Sequence, residues 1–154
     1  MPSASHFEFD DSQWPLLIIR IPRTPTADEM EEYLARRLEY MKRHEHHVIL
    51  YDTRELRLAS NAMNQRQVEW LRKHDELILE TLLGAVVIIT SPLNRLTASA
   101  IMHFKKPTTP YSIASSMPDA VRWAADCLQQ AGYFTEAHRI RQHFASSASG
   151  QSGA

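Results

Sequence analysis

Asp52 is the residue of this chain whose type and place most directly suggest chemistry. It ends the apolar run His47-Val48-Ile49-Leu50-Tyr51. In an open α/β sheet, sites form where strands end and helices begin. An acid there binds a cation, accepts a proton or, more commonly, caps the loop that follows. Ser60 and Ser91 each precede a helical pattern. The free N–H groups and dipole of a helix N-terminus favour an anion, so phosphorylation there would be electrostatically tolerated. The plainer reading of each is an N-cap worth about 1 kcal/mol. Thr53, Arg54, Asn61 and Arg95 lie in the same two segments. With Asp52, Ser60 and Ser91 they make up the candidate regulatory or partner-binding set.

Other chemistry-bearing residues point to structure. His44, His46 and His47 form a His-Glu-His-His cluster. It spans a helix end and a strand start, so its members would point apart, and no second pair completes a zinc pattern. A Ser60–His74–Asp52 triad fails on distance. Ser60 and His74 lie on one helix, and a rise of 1.5 Å per residue separates them by about 20 Å. Cys127 sits within a helical pattern with Arg122 as its positive neighbour, which suits packing better than nucleophilic attack. Glycine occurs only at 84, 132, 150 and 153. No strand-to-helix turn is glycine-rich, so a Walker or Rossmann phosphate site lacks its backbone requirement. No catalytic residue, metal or cofactor is assigned.

The elements that must position these residues follow from periodicity. Phe7–Asp10 alternates and suits an edge strand, and Leu16–Ile21 is a strong strand joined to it as an antiparallel hairpin. Thr26-Ala27-Asp28-Glu29 is a capping box opening a helix to about Arg43. Met30, Tyr33, Leu34, Leu38 and Met41 form its buried stripe, and Arg36, Arg37, Lys42 and Arg43 lie outside the stripe or near the helix end. The run His47–Asp52 is apolar on both faces, as expected of a central strand covered on both sides. A long helix from Ser60 to about Leu83 is expected next, stopped by Gly84. A strand over Ala85–Thr90 and a helix from Ser91-Pro92 to Phe104 follow, the latter ending at Lys105-Lys106 and Pro107. Tyr111–Ala114 is a short strand, and Ser116-Met117-Pro118-Asp119 opens a helix burying Val121, Ala124 and Cys127 or Leu128. The order β-β-α-β-α-β-α-β-α gives an α/β fold: a mixed, mostly parallel sheet of about five strands with helices packed on it. One domain is expected over 1–132, with a short amphipathic helix at 133–145 and a disordered Ser/Gly/Ala-rich tail at 146–154.

Bulk properties narrow the function classes. The chain has 154 residues, enough for one domain with a real core. Seventeen basic residues face 18 acidic ones, which argues against nucleic acid and anionic membrane as partners. A single cysteine fits a reducing cytoplasm. No run approaches the roughly 18 apolar residues of a membrane helix. Met1–His6 lacks the pattern of a secretory signal.

The element order, with strand–Asp52, polar loop, Ser60 and long helix, resembles the STAS domain, the fold of bacterial anti-sigma-factor antagonists and their looser relatives. The resemblance rests on His47–Asp52, Ser60–Leu82, Ala85–Thr90 and Met117–Gln130 and covers most of Leu16–Gly132. In that family a Ser or Thr opening the helix after the central strand is phosphorylated by a partner kinase. Ser60, in Leu58-Ala59-Ser60-Asn61-Ala62, matches that position.

The function expected is a non-catalytic, cytoplasmic protein-interaction or signalling module of STAS-like type. Its surface is the edge holding Thr53–Asn64 and Ser91–Arg95, and its partner is a protein. The alternative is a small-molecule or lipid-binding protein, or an enzyme, with a pocket at that edge; pocket shape discriminates the two. A homo-oligomer through Phe7–Asp10 or the Tyr133–Phe144 helix is a third reading.

Overall fold

The computed structural model describes residues 6–57, 60–104 and 109–152. Met1–Ser5, Leu58-Ala59, Lys105-Lys106, Pro107 and the last two residues of the expected tail lie outside the described residues. Strands β1 (Glu8–Gln13) and β2 (Leu16–Arg20) lead to helix α1 (Ala27–Met41) and strand β3 (His47–Asp52). Helices α2 (Asn61–Lys73) and α3 (Asp75–Thr81) precede strand β4 (Leu82–Ile88). Helix α4 (Pro92–Phe104), strand β5 (Tyr111–Ala114) and helices α5 (Met117–Gln130) and α6 (Phe134–Ser152) complete the order.

The strands form one five-stranded sheet in sequence order, β1-β2-β3-β4-β5. β1 is an antiparallel edge strand, and the remaining pairs are parallel. The fold class is therefore mixed, mostly parallel α/β, with β3 at the centre. Successive strands always step the same way, so the right-handed crossover preference places the helices after β2 and β3 on one face. The other face is left for the C-terminal helices. Two cores result. Leu17, Ile19 and Ile49 pack with Met30, Tyr33, Leu34, Met41, Trp70 and Ile78 from α1, α2 and α3. Leu16, Ile18, Val48, Leu50, Val86 and Ile88 pack with Ala120, Val121, Ala124 and Leu128 of α5 and Ala137 and Ile140 of α6. Alternate residues of β2 and β3 serve opposite cores, which is why their sequences are continuously apolar.

The structure corrects four expectations. The helix opened by Ser60 breaks at His74 into α2 and α3. Arg72 and Lys73 close α2, and Asp75 and Glu76 open α3, each pair matching the dipole end it occupies. Gly84 is not a helix stop but lies inside β4. A Cβ there would stand 2.7 Å from Cys127 Sγ and 2.9 Å from Trp123 Cη2, so glycine lets α5 approach the sheet. Arg37 is not outside the buried stripe: it is 3% exposed. Its guanidinium carbon lies 4.9 Å from the Trp70 ring centroid and 5.7 Å from that of Tyr51, because α2 covers that side of α1. Finally, α6 continues to Ser152 through residues expected to be disordered. That stretch has no proline, and Ser147 Oγ donates to His143 O at 3.1 Å.

Candidate functional site

The parallel strands β2, β3 and β4 deliver Asp52, Thr53, Arg54, Ser60, Asn61, Ser91 and Arg95 to one edge, at their carboxyl ends. Backbone bonds hold the edge together. Ile21 N donates to Asp52 O at 3.0 Å and Thr53 N to Ile88 O at 3.3 Å. Arg57 N donates to Arg23 O at 3.0 Å, joining the loop after β3 to the loop after β2. Asn94 Nδ2 donates to Leu56 O at 3.3 Å, joining the first turn of α4 to the same loop.

Asp52 is 3% exposed and committed to its neighbours. Arg54 Nε and Nη2 donate to Oδ1 and Oδ2 at 2.9 and 2.8 Å, and Arg54 N donates to Oδ1 at 3.1 Å. Arg20 Nε stands 3.5 Å from Oδ2. Burial alone would raise the carboxyl pKa, but the hydrogen bonds and charge of Arg54, with the charge of Arg20, outweigh it and hold it below 3.8. The carboxylate caps the loop and organises two guanidinium groups. Such a group is a poor proton acceptor, because accepting a proton breaks a bidentate ion pair.

Thr53 is buried, and its Oγ1 donates to Ile88 O at 2.5 Å, tying β3 to β4. Ser60 is the N-cap of α2 and is exposed; its Oγ accepts from Met63 N at 3.2 Å. Asn61 is exposed beside it. Ser91 Oγ accepts from Asn94 N at 3.4 Å, and Arg95 Nη2 donates to Ile89 O at 3.2 Å. Leu93 and Leu96, placed by sequence on the same helix, are 59% and 69% exposed and border this edge.

No nucleophile–base pair forms among these groups. His74 stands at the far end of α2, its ring 4.9 Å from that of Trp70. The histidine cluster disperses: His44 Nδ1 meets Glu80 Oε1 at 2.9 Å, His46 Nδ1 meets Tyr133 Oη at 2.8 Å, and His47 is buried against Trp14. Among the described residues no group of three His, Cys, Asp or Glu side chains is placed to hold a metal ion. No helix of the described residues is long and apolar enough to cross a membrane. Two open depressions lie elsewhere among the described residues. One is lined by Gln13, Arg139 and His143, the other by Arg72, His74 and Glu80.

Sequence reasoning overlooked Arg20 and Arg23 at this edge, and it held Arg57 only as part of the Thr53–Asn64 segment. A signal existed for Arg20. The runs Leu16–Arg20 and His47–Asp52 both end in a charge, and parallel pairing sets those charges side by side in register.

No family model matches the sequence, and no curated protein matches it. Among solved structures, the chain is similar to an uncharacterized protein from the DUF3478 family with a SpoIIAA-like fold from Shewanella loihica PV-4. The TM-score is 0.60 and the identity 17%, over 80% of this chain and 98% of that one. At that identity the likeness is one of fold, and the fold of this chain is SpoIIAA-like, the STAS-like architecture that its sequence resembles.

Proposed function

We propose that this chain is a non-catalytic, cytoplasmic protein-interaction or signalling module whose working surface is the edge holding Thr53–Asn64 and Ser91–Arg95. The observation that carries the reading is Ser60: an exposed hydroxyl at the N-terminus of a thirteen-residue helix, at the carboxyl edge of the sheet. Ser60 is exposed while its Oγ accepts the cap bond from Met63 N, which leaves the hydroxyl accessible to a modifying partner. A phosphate there would meet the positive end of α2 rather than a buried or acidic environment. The commitment of Asp52 to Arg54 and Arg20 supports the non-catalytic part.

The test is site-specific photo-crosslinking in the native cell, with the probe at Asn61 or at Glu136 on α6. The reading expects one discrete protein adduct from Asn61 and none from Glu136. Equal adducts at both positions, or none at Asn61, would remove the edge as a partner surface.

A further inference from the structure

We infer that the edge around Ser60 receives an acidic segment of a partner protein, held by an arginine cluster formed by Arg23, Arg54, Arg57 and Arg95 together with Arg20. This rests on the reading of that edge as a partner surface and adds the chemistry of what binds there. The backbone bond between Arg57 and Arg23 sets two of these arginines on adjoining loops. The bond from Asn94 Nδ2 to Leu56 O brings α4, with Arg95, beside them. Arg20 and Arg54 flank the Asp52 carboxylate. All five arginines are exposed.

Arg20 at the end of β2, Arg23, Arg54 and Arg57 in the loops after β2 and β3, and Arg95 in α4 stand against Glu8, Asp52 and Glu55, a net charge of +2 in a chain whose total is −1, which leaves −3 for the rest. The positive charge is thus concentrated at this edge. Every basic residue in it is arginine, although the chain also contains lysine. Arg54 spends its fork on Asp52, Arg20 is shared between Asp52 and Glu8, and Arg95 Nη2 donates to Ile89 O, so Arg23 and Arg57 are the pair whose planar forks engage a partner's carboxylates two bonds at a time, which a lysine ammonium does not do. Two helix N-termini, those of α2 and α4, open onto the same loops and add to the attraction for negative charge.

The surroundings select the kind of polyanion. Asp28 and Glu29, in the first turn of α1, follow Arg23 closely in the chain and limit the positive charge on that side. They would repel a bilayer or a long nucleic acid laid across it. Leu93 and Leu96 border it through α4, and they reward a partner that also carries apolar side chains. A short acidic peptide segment with apolar residues satisfies both constraints.

The experiment uses the full chain and a fluorescent Glu/Asp-rich peptide containing leucine, followed by anisotropy. Two charge-matched double variants are compared: Arg23→Gln with Arg57→Gln at the edge, and Arg72→Gln with Lys73→Gln at the opposite end of α2. The edge pair is expected to weaken binding about tenfold, the combined effect of two exposed charge pairs. The distant pair is expected to leave it within about twofold, since salt screens charges beyond a Debye length. Equal losses in the two variants, or no peptide binding by the wild type, would overturn the inference. Tighter binding to phosphatidylserine-containing vesicles or to single-stranded DNA than to the peptide would also overturn it. The edge variants are then carried into the Asn61 crosslinking experiment. A discrete Asn61 adduct that survives Arg23→Gln with Arg57→Gln would refute the arginine cluster while sparing the edge as a partner surface. Loss of the adduct only in these variants would support both.

Discussion

Arg20 and Asp52 stand side by side at the ends of adjacent parallel strands, with Arg20 Nε 3.5 Å from Asp52 Oδ2, and Arg54 closes on the same oxygen at 2.8 Å. One buried carboxylate thus fixes two guanidinium groups at the edge of the sheet. Asp52→Asn is expected to cost about 2 kcal/mol at neutral pH, because it removes the negative charge the arginines share and replaces one acceptor oxygen of the Arg54 pair with an NH2 donor. The Asp52 pKa lies below its ordinary 3.8 in the folded protein. Its stabilisation is therefore fully present above that value and is lost as pH falls through the folded value. Denaturant melts should show the gap between wild type and Asp52→Asn narrowing below about pH 4. A gap that stays constant down to pH 2 would contradict the ion pair.

His47 provides a second pH dependence, in a different window. It is fully buried, and its Nε2 has no hydrogen-bond partner among the described residues. Burial is the largest cause of its depressed pKa, about 4 against an ordinary 6.5, and Arg37 and Arg43 add to it, although the bond to Glu45 O works the other way. The unfolded chain therefore takes up a proton at a pH where the folded chain does not. Stability is unaffected above about pH 6.5 and declines as pH falls toward 4, by a total on the order of 3 kcal/mol. NMR titration of the His47 ring should place its midpoint near 4; a midpoint above 6 would contradict this.

Gly84→Ala tests the contact between β4 and α5. The added methyl meets Cys127 Sγ at 2.7 Å and Trp123 Cη2 at 2.9 Å. A loss of about 1–3 kcal/mol is expected from overpacking. Cys127→Ala should recover part of it in a double-mutant cycle, because one of the two clashing atoms is removed. Additive losses would show that the approach of α5 does not depend on this glycine.

The sheet and its covering were legible because their signals are local and repeated. The continuous apolar runs of β2 and β3 mark strands buried on both faces, and the Thr26–Glu29 capping box opens α1 as its sequence implies. What escaped depends on tertiary contact. Arg37 falls outside the stripe on a helix wheel, yet Trp70 of α2 covers it. Gly84 has the flanks of a helix stop, yet α5 needs its missing side chain. The break at His74 was available in the switch from Arg72-Lys73 to Asp75-Glu76. At the candidate site, Asp52, Ser60 and Ser91 were visible as strand end and helix caps. Arg20 and Arg23 join them only through strand register and the backbone bond between Arg57 and Arg23.

Removal of residues 146–154 is expected to leave the melting temperature within about 2 °C of the full chain. Among the described residues, the side chains through which α6 packs on the core are Ala137, Ile140 and Phe144, all before the cut. A larger drop in a thermal melt would show that the end of α6 contributes to packing.

The central claim is that the edge around Ser60 is a regulated partner surface. It is tested most directly by comparing partner binding of the wild type, Ser60→Ala and Ser60→Asp, using the protein captured through Asn61. Both variants should fold: Ser60→Ala loses a cap worth about 1 kcal/mol, and aspartate is itself a favourable N-cap at the positive end of α2. The account predicts that Ser60→Ala binds as the wild type does, whereas Ser60→Asp binds about tenfold or more weakly, because it sets a fixed negative charge among the arginines that receive the partner. Identical affinities for all three proteins would contradict it and leave Ser60 as a helix cap alone.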